Sequence, residues 1–415
     1  MSLYKPSSGL LETHVTWHDV EEEMQKALGT NAVFGPNKKA TNIGDLKGFM
    51  SRIALIDPDW QGTSEDEKLP EKFAVKISSQ IAHAKLASVL GSEGFDEAKL
   101  EMLSAFTRKF HNQEVEAYRH LMKFNHPDIP YTKVYALKSF SNETDLKAYI
   151  ISDFVPNVHC MGMHQSISAN DITQLIRGVA TFSALAQSFT EEELSKFSGP
   201  EMMESAFAQF FDDEQMDKMF GSLDAIFGTE HKDLLEKVVP IFRYYKTLIK
   251  NFAHIQENPG FKLVLNHNDL WQANMLHSLK NDRKGLKLEA IIDWQCVGRG
   301  AAGSDMVRVL ICCLNAQDRR EKGEELLKLY YETFTKVHGE EYFTMEELHD
   351  SYNIHFPLMA MIVVPMIMPF LDSHETGEEK EKYREENIVK LVAIMEDVID
   401  YHAKNIEKFP TFMKV

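Results

Sequence analysis

The sequence predicts an α+β fold of two lobes, a small strand-rich lobe over residues 1–155 and a larger helical lobe over 156–415. Three observations predict it. The 415 residues exceed what one hydrophobic core ordinarily serves, while 44% apolar and 26% charged content is that of an ordinary globular chain. The hydrophobic pattern changes near residue 155, from short segments of period two to long segments of helical period. Finally, the stretch VLNHNDLWQANML, Val264 to Leu276, sets His, Asn, Asp and Gln between apolar pieces, which reads as a loop at a strand end facing a cleft.

The front lobe is read from FMSRIALI, KFAVKISS, YTKVYALKSF and KAYIISDFV. The last two flank the polar turn SNETD and so form a hairpin. A helix from Thr107 to Phe124 interrupts the strands. Behind residue 155, NDITQLIRGVATFSALAQSF carries Ile172, Leu175, Ile176, Val179 and Phe182 at helical spacing, with Asn170 or Asp171 as N-cap. Further helices are expected near 202–228, 231–253, 303–315, 321–338, 346–371 and 378–405, with two strands, KLVLNH and LEAIIDW, among them.

Bulk properties exclude some functions. A net charge of −18 and a pI near 5.4 argue against nucleic acid or an anionic membrane as main partner. Cys160, Cys296, Cys312 and Cys313 form no CxxC pair and the start shows no secretory leader, so free thiols in a reducing cytoplasm are expected. The apolar run from Phe356 to Leu371 contains Pro357, Pro365 and Pro369. It reads as a buried, kinked helix and not as a membrane span.

The polar loop has the spacing His267-x-Asp269-x-x-x-x-Asn274, and the next strand ends at Asp293. An Asp at the head of such a loop can orient a hydroxyl and accept its proton. An Asn five residues on can return an oxygen to the same cleft, and a strand-borne Asp can complete a Mg²⁺ site with phosphate oxygens. This is a phosphoryl-transfer layout, and it requires a lysine and its acidic brace in the front lobe. Strand alternation places Ala74, Lys76 and Ser78 on one face of KFAVKISS, where Lys76 can reach a phosphate. A strand lysine also serves as a solvated edge guard. In HNQEVEAYRHL, Glu114 shares a stripe with Phe110, Ala117, Tyr118 and Leu121, whereas Glu116 falls with Arg119, His120 and Lys123 on a solvated face. An inward Glu114 needs a cation, and Lys76 is the expected partner.

Together NHNDLWQANML, AIIDWQ, FAVKIS and HNQEVEAY resemble the ecdysteroid-kinase-like group of the choline/aminoglycoside kinase superfamily, most closely its nematode branch of uncharacterised CHK-kinase-like proteins. The resemblance spans roughly residues 40 to 405. It implies a protein-kinase-like two-lobed fold that moves the γ-phosphate of ATP to a small-molecule hydroxyl. It further implies Asp269 as catalytic base, Asn274 and Asp293 as Mg²⁺ ligands, Lys76 on the α/β-phosphates and Glu114 as its brace. IISDFVP resembles the hinge, with backbone groups of Asp153 and Val155 toward adenine. Asp305 resembles a position that supports the catalytic loop. Two features depart from the family. Asn268 stands where Gly is usual, and GDLKGFMS offers only Gly48 to Ser51 as a phosphate-covering loop.

Only WQCVGRGAAGS separates Asp293 from Asp305, too little for a peptide-docking activation segment, so a small acceptor is expected. The Met-rich run 356–371 reads first as plain core, although it could also line a pocket for a lipophilic alcohol such as a steroid. HCMGMH, His159 to His164, holds soft ligands but sits where a cleft rim is expected. Two rivals stand beside the kinase: a catalytically weak pseudokinase that binds nucleotide or ligand, and a helical interaction protein in which Lys76 and Glu114 lie far apart.

Overall fold

The computed structural model describes residues 2–44, 50–64, 66–82, 84, 97–159, 161–202, 204–205, 212–280, 285–372 and 378–414. The architecture is α+β, with strands concentrated early and helices late. Two compact units divide the chain. One comprises Met1–Asn125, Tyr131–Val158 and Ile292–Gln295, the other His126–Pro130, His159–Ile291 and Cys296–Val415.

The first unit is built on a five-stranded antiparallel sheet of order β2-β3-β5-β7-β6. Its strands are β2 Lys39–Asn42, β3 Ser51–Asp57, β5 Phe73–Ser78, β6 Val134–Lys138 and β7 Tyr149–Asp153. Two short strands, β1 Val33–Phe34 and β4 Trp60–Gln61, pair separately. The hairpin read across SNETD is the β6–β7 pair. Strand alternation in β5 sends Phe73, Val75 and Ile77 into one core with Ala54, Ile56, Tyr149 and Ile151. Each such side chain contributes about 1.5–3 kcal/mol when fully buried.

Helix α1, Trp17–Leu28, closes that core with Val20 and Met24. Sequence reading missed it, although its start and stop are marked. Thr16 accepts from the Asp19 amide and the Asp19 carboxylate accepts from the Thr16 amide. Gly29 ends the helix at φ 65°, a conformation that costs glycine nothing. Helix α2, Glu97–Phe124, is longer than the expected Thr107–Phe124. It buries Glu114 as expected, but it also buries Glu116 and His120. The assignment of Glu116 to a solvated face is therefore corrected: it lies against Arg119 at 2.8 Å and His120 at 3.7 Å, because this helix is covered on more than one stripe.

In the second unit, β8 Leu263–Asn266 pairs with β11 Gly298–Ala301, and β9 Met275–Leu279 with β10 Leu286–Ile291, both antiparallel. Helices carry the rest. The longer ones among the described residues are α3 Thr173–Leu185, α4 Asp213–Phe227, α5 Lys232–Thr247, α6 Gly303–Cys313, α7 Ala316–His338, α8 Met345–Ile367 and α9 Glu378–Lys408. Neither Asn170 nor Asp171 caps α3. Its N-cap is Ile172 with no side-chain bond, and Asp171 instead accepts from Ser168 and Lys280. Helix α8 carries Pro357 and Pro365 within it and ends in a 3-10 turn, Met368–Asp372. By length and composition Met345–Leu371 could cross a bilayer, yet 72% of its apolar window is buried inside the protein.

One buried group in α8 makes stability pH-dependent. His355 is packed edge-on against Phe252 and bonds through Nδ1 to the Ser351 carbonyl at 2.7 Å. Burial lowers its pKa from 6.5 to about 4. The unfolded chain therefore takes up a proton near pH 6.5 that the native state refuses, so this contribution is present above that pH and is lost as pH falls toward 4. Urea unfolding at pH 7 and pH 5 should show a loss in the wild type that exceeds the loss in His355→Gln by roughly 2 kcal/mol. Equal losses in the two proteins would show that His355 does not titrate this way.

Candidate active site

In the first unit, Lys76 occupies the central strand β5, between Ile53 of β3 and Ile150 of β7. Its side chain leaves the face opposite the Val75 core and meets α2. Nζ donates to Glu114 Oε1 at 2.8 Å and Oε2 at 2.7 Å, and to Asp293 Oδ1 at 2.5 Å. Glu114 is 1% exposed, so its charge is tolerable only beside this ammonium. Burial pushes the Glu114 carboxyl up, against the pull of Lys76, and the Asp293 charge adds to the rise. Burial alone would lower Lys76, but the charges of Asp293 and Glu114 hold it above its ordinary value. Asp293 lies just past the end of β10 in the left-handed conformation, φ 65°, and its Oδ2 accepts from Gln295 Nε2 at 3.3 Å. The Gln295 carbonyl in turn accepts from Gln113 of α2. With Lys76 and Glu114 at hydrogen-bond distance, the interaction-protein reading that needed them apart is removed.

The remaining front-lobe expectations fare unevenly. Ser51 begins β3 opposite Ser78. Gly48 lies outside the described residues. The Asp153 amide donates to the Lys133 carbonyl at 2.7 Å and its carboxylate accepts from Tyr135 at 3.2 Å, so that amide is already engaged. Val155 lies beyond the end of β7, outside any ladder.

In the second unit, β8 delivers the loop His267–Asn274. Asp269 is held at both oxygens: Oδ1 accepts from Arg308 Nη2 at 2.5 Å, and Oδ2 from Asn274 Nδ2 at 3.0 Å. Asn274 Nδ2 also donates to the Asp269 carbonyl at 2.8 Å, which leaves Asn274 Oδ1 as the acceptor turned elsewhere. Asp305, 1% exposed, accepts from the amides of His267 at 2.7 Å and Asn268 at 2.8 Å. Burial raises the Asp305 pKa, while His267, these amides and Arg308 oppose the rise. Asn268 sits at φ 63° with Nδ2 donating to the carbonyls of Cys296 at 3.1 Å and Gly298 at 3.4 Å. The left-handed backbone explains why glycine suits this position. Asn is the side chain that tolerates it best, and here it also ties the loop to the approach of β11.

Arg308 was missed by sequence reading. It lies 39 residues from its partner, and no spacing rule links the two. The His159 amide pairs with the His277 carbonyl at 2.7 Å, and His164 packs on Phe370 and Tyr383. Cys160 lies outside the described residues. Among the described residues no three His, Cys, Asp or Glu side chains converge as metal ligands. Mg²⁺ asks less, since it keeps waters and phosphate oxygens around one or two protein ligands. Within the first unit the Asp293 carboxylate, and within the second Asn274 Oδ1, is a hard oxygen donor of the kind it takes.

These elements make up an α+β chain. Residues 3–406 match the DUF1679 family, described as "Uncharacterized oxidoreductase dhs-27", and the chain belongs to that family. It is 23% identical over 344 residues to the uncharacterized kinase-like protein D1044.1 of Caenorhabditis elegans, covering 81% of this chain and 87% of that one. It is 22% identical over 302 residues to the uncharacterized oxidoreductase dhs-27 of the same nematode, covering 71% of this chain but 34% of that longer protein. Among solved structures, spectinomycin phosphotransferase APH(9)-Ia in complex with ADP and spectinomycin is similar at a TM-score of 0.45 and 13% identity, over 94% of this chain and 99% of that one. The motif resemblance to a nematode branch of kinase-like proteins thus agrees with the family match.

Proposed function

We propose that the chain is an ATP- and Mg²⁺-dependent phosphotransferase acting on the hydroxyl of a small molecule. The observation that carries this reading is the Lys76–Glu114–Asp293 cluster, assembled from residues 38 and 217 positions apart. Two carboxylates on one largely buried lysine are a poor structural device, because the second is left short of cation. The same pair serves a kinase well: Glu114 braces Lys76 for the α/β-phosphates, and Asp293 is released to metal. In the transfer, the acceptor oxygen forms a bond to the γ-phosphorus as the bond from that phosphorus to the β–γ bridging oxygen breaks. ADP departs with the electron pair, and the hydroxyl proton passes to Asp269. Mg²⁺, held by Asn274 and Asp293, would neutralise charge on the phosphate oxygens.

The course of the chain after Asp293 favours a small acceptor. It enters a short 3-10 turn at Trp294–Cys296, pairs as β11 with β8 and begins α6 at Gly303, which leaves no segment for docking a peptide. A lipophilic alcohol, such as a steroid, is the acceptor class suggested by the apolar C-terminal half of α8, where Met366 remains exposed. A cytoplasmic setting without a membrane span is supported by the charge of −18, by free Cys296, Cys312 and Cys313, and by the burial of α8. The pseudokinase rival rests on Asn268 and on the thin glycine loop at Gly48 to Ser51, and the tolerated geometry at Asn268 weakens the first of these.

The test needs no acceptor. ATP with Mg²⁺ should raise the melting temperature of the wild type, and ATP without Mg²⁺ should raise it far less. At 100-fold excess over Kd, the gain corresponds to about 2.7 kcal/mol. Asp293→Asn should abolish the Mg²⁺-dependent part; Asn is the right replacement because Ala would strain the left-handed backbone at φ 65°. No shift in a well-folded wild type at high ATP would refute nucleotide binding.

A further inference from the structure

Helix α6 touches the catalytic loop at successive turns. Asp305 holds the amides of His267 and Asn268, Arg308 holds the carboxylate of Asp269, and the Cys312 carbonyl accepts from Gln272 Nε2 at 2.7 Å. The spacings of three and four residues place these contacts along one helix face. Asp305 and Cys312 fix backbone and scaffold. Of the three, Arg308 is the one that reaches a reacting group.

Its bonding leaves donors over, as does that of buried Arg319, whose Nη1 meets Asp397. Arg308 is 8% exposed, yet one strong bond, Nη2 to Asp269 Oδ1, accounts for its pairing. Among the described residues Nη1 faces only the Met359 sulfur at 3.8 Å, and Nε has no partner. A buried guanidinium with donors left over costs stability, and an apolar side chain of similar length beside Met359 would avoid that cost. What sets Arg308 apart is its partner, the carboxylate of Asp269 in the catalytic loop.

Building on the kinase reading above, we propose that Arg308 is the positioning residue for Asp269. It anchors Oδ1, so that Oδ2, steadied by Asn274 Nδ2, is the oxygen turned to the acceptor hydroxyl. The hydroxyl proton goes to Oδ2 while the hydroxyl oxygen bonds to the γ-phosphorus and ADP leaves with the electrons of the broken bond. Arg308 exchanges no proton. It removes the rotational freedom of the carboxylate, which otherwise lowers the fraction of encounters in attacking geometry.

Arg308→Met and Arg308→Lys test the assignment, with ATP hydrolysis as readout so that water replaces the unknown acceptor. In Arg308→Met, kcat should fall about 10- to 100-fold with KM for ATP within twofold of wild type and the melting temperature unchanged or higher. Arg308→Lys, which keeps the charge but loses the fork, should recover part of kcat. A crystal structure of Arg308→Met should show the Asp269 carboxylate turned away from Asn274 Nδ2. A carboxylate that stays in place, or one that moves without loss of kcat, overturns the assignment. So does a variant whose only change is a lower melting temperature, which marks a structural ion pair. The two failures separate: a wild type that neither binds nor hydrolyses Mg-ATP refutes the kinase reading, whereas an active wild type with an equally active Arg308→Met refutes this one alone.

Discussion

Asp269→Asn should leave Mg-ATP binding intact and reduce turnover at least ~10²-fold. The replacement is isosteric, the amide oxygen can still accept from Arg308, and Asn274 Nδ2, which loses Oδ2 as acceptor, keeps its bond to the backbone carbonyl of position 269, so the loop held by Asp305 is expected to keep its path. The anionic oxygen that takes the hydroxyl proton disappears. Nucleotide affinity rests in the reading on Lys76, Asn274 and Asp293, none of which is altered. The measurement pairs two readouts on one preparation: the Mg²⁺-dependent thermal shift with ATP, and the steady-state rate of ADP release. An unchanged shift with a collapsed rate assigns Asp269 to the chemical step. Equal rates in variant and wild type would remove it from the mechanism. Loss of the shift would instead place Asp269 among the groups that hold metal.

Much of the candidate cluster in each unit was legible because it obeys a local periodicity. The run from His267 to Asn274 is contiguous, so spacing alone brings Asn274 back to Asp269, as the 3.0 Å contact shows. Lys76 followed from strand alternation and Glu114 from a helical stripe, and geometry joins them at 2.7 Å. The misreadings share a cause. Glu116 was assigned outward because a single amphipathic stripe was assumed for α2, but tertiary packing covers more of that helix than one stripe. Arg308 lies on a wholly buried helix, α6, where Ser304, Asp305 and Arg308 form a polar stripe that faces protein and not solvent. Its charge has meaning only through a partner in another element. Strands β9 and β11 are short and were hidden by the polar loop between them and their neighbours. Helix α1 was different: Thr16, Asp19 and Gly29 marked both of its ends.

Lys76→Met should destabilise the protein by about 3–5 kcal/mol at neutral pH, because it strands the buried Glu114 carboxylate and leaves Asp293 beside it without the shared cation. The loss should depend on pH in a defined direction. Glu114 already has its pKa raised by burial, and without Lys76 it rises further. A group whose native pKa lies above its unfolded value favours the native state at low pH, and this advantage is lost as pH climbs through the native pKa. The deficit of Lys76→Met relative to wild type should therefore shrink toward pH 5, where Glu114 takes up a proton, and grow toward pH 8. Adding Glu114→Gln should recover much of the stability at neutral pH, since a neutral amide needs no ammonium. The double variant then separates folding from function. It should melt near the wild type yet show no Mg²⁺-dependent gain with ATP, because nothing remains to hold the α/β-phosphates. A double variant that still gains the full wild-type shift would show that Lys76 serves the fold alone.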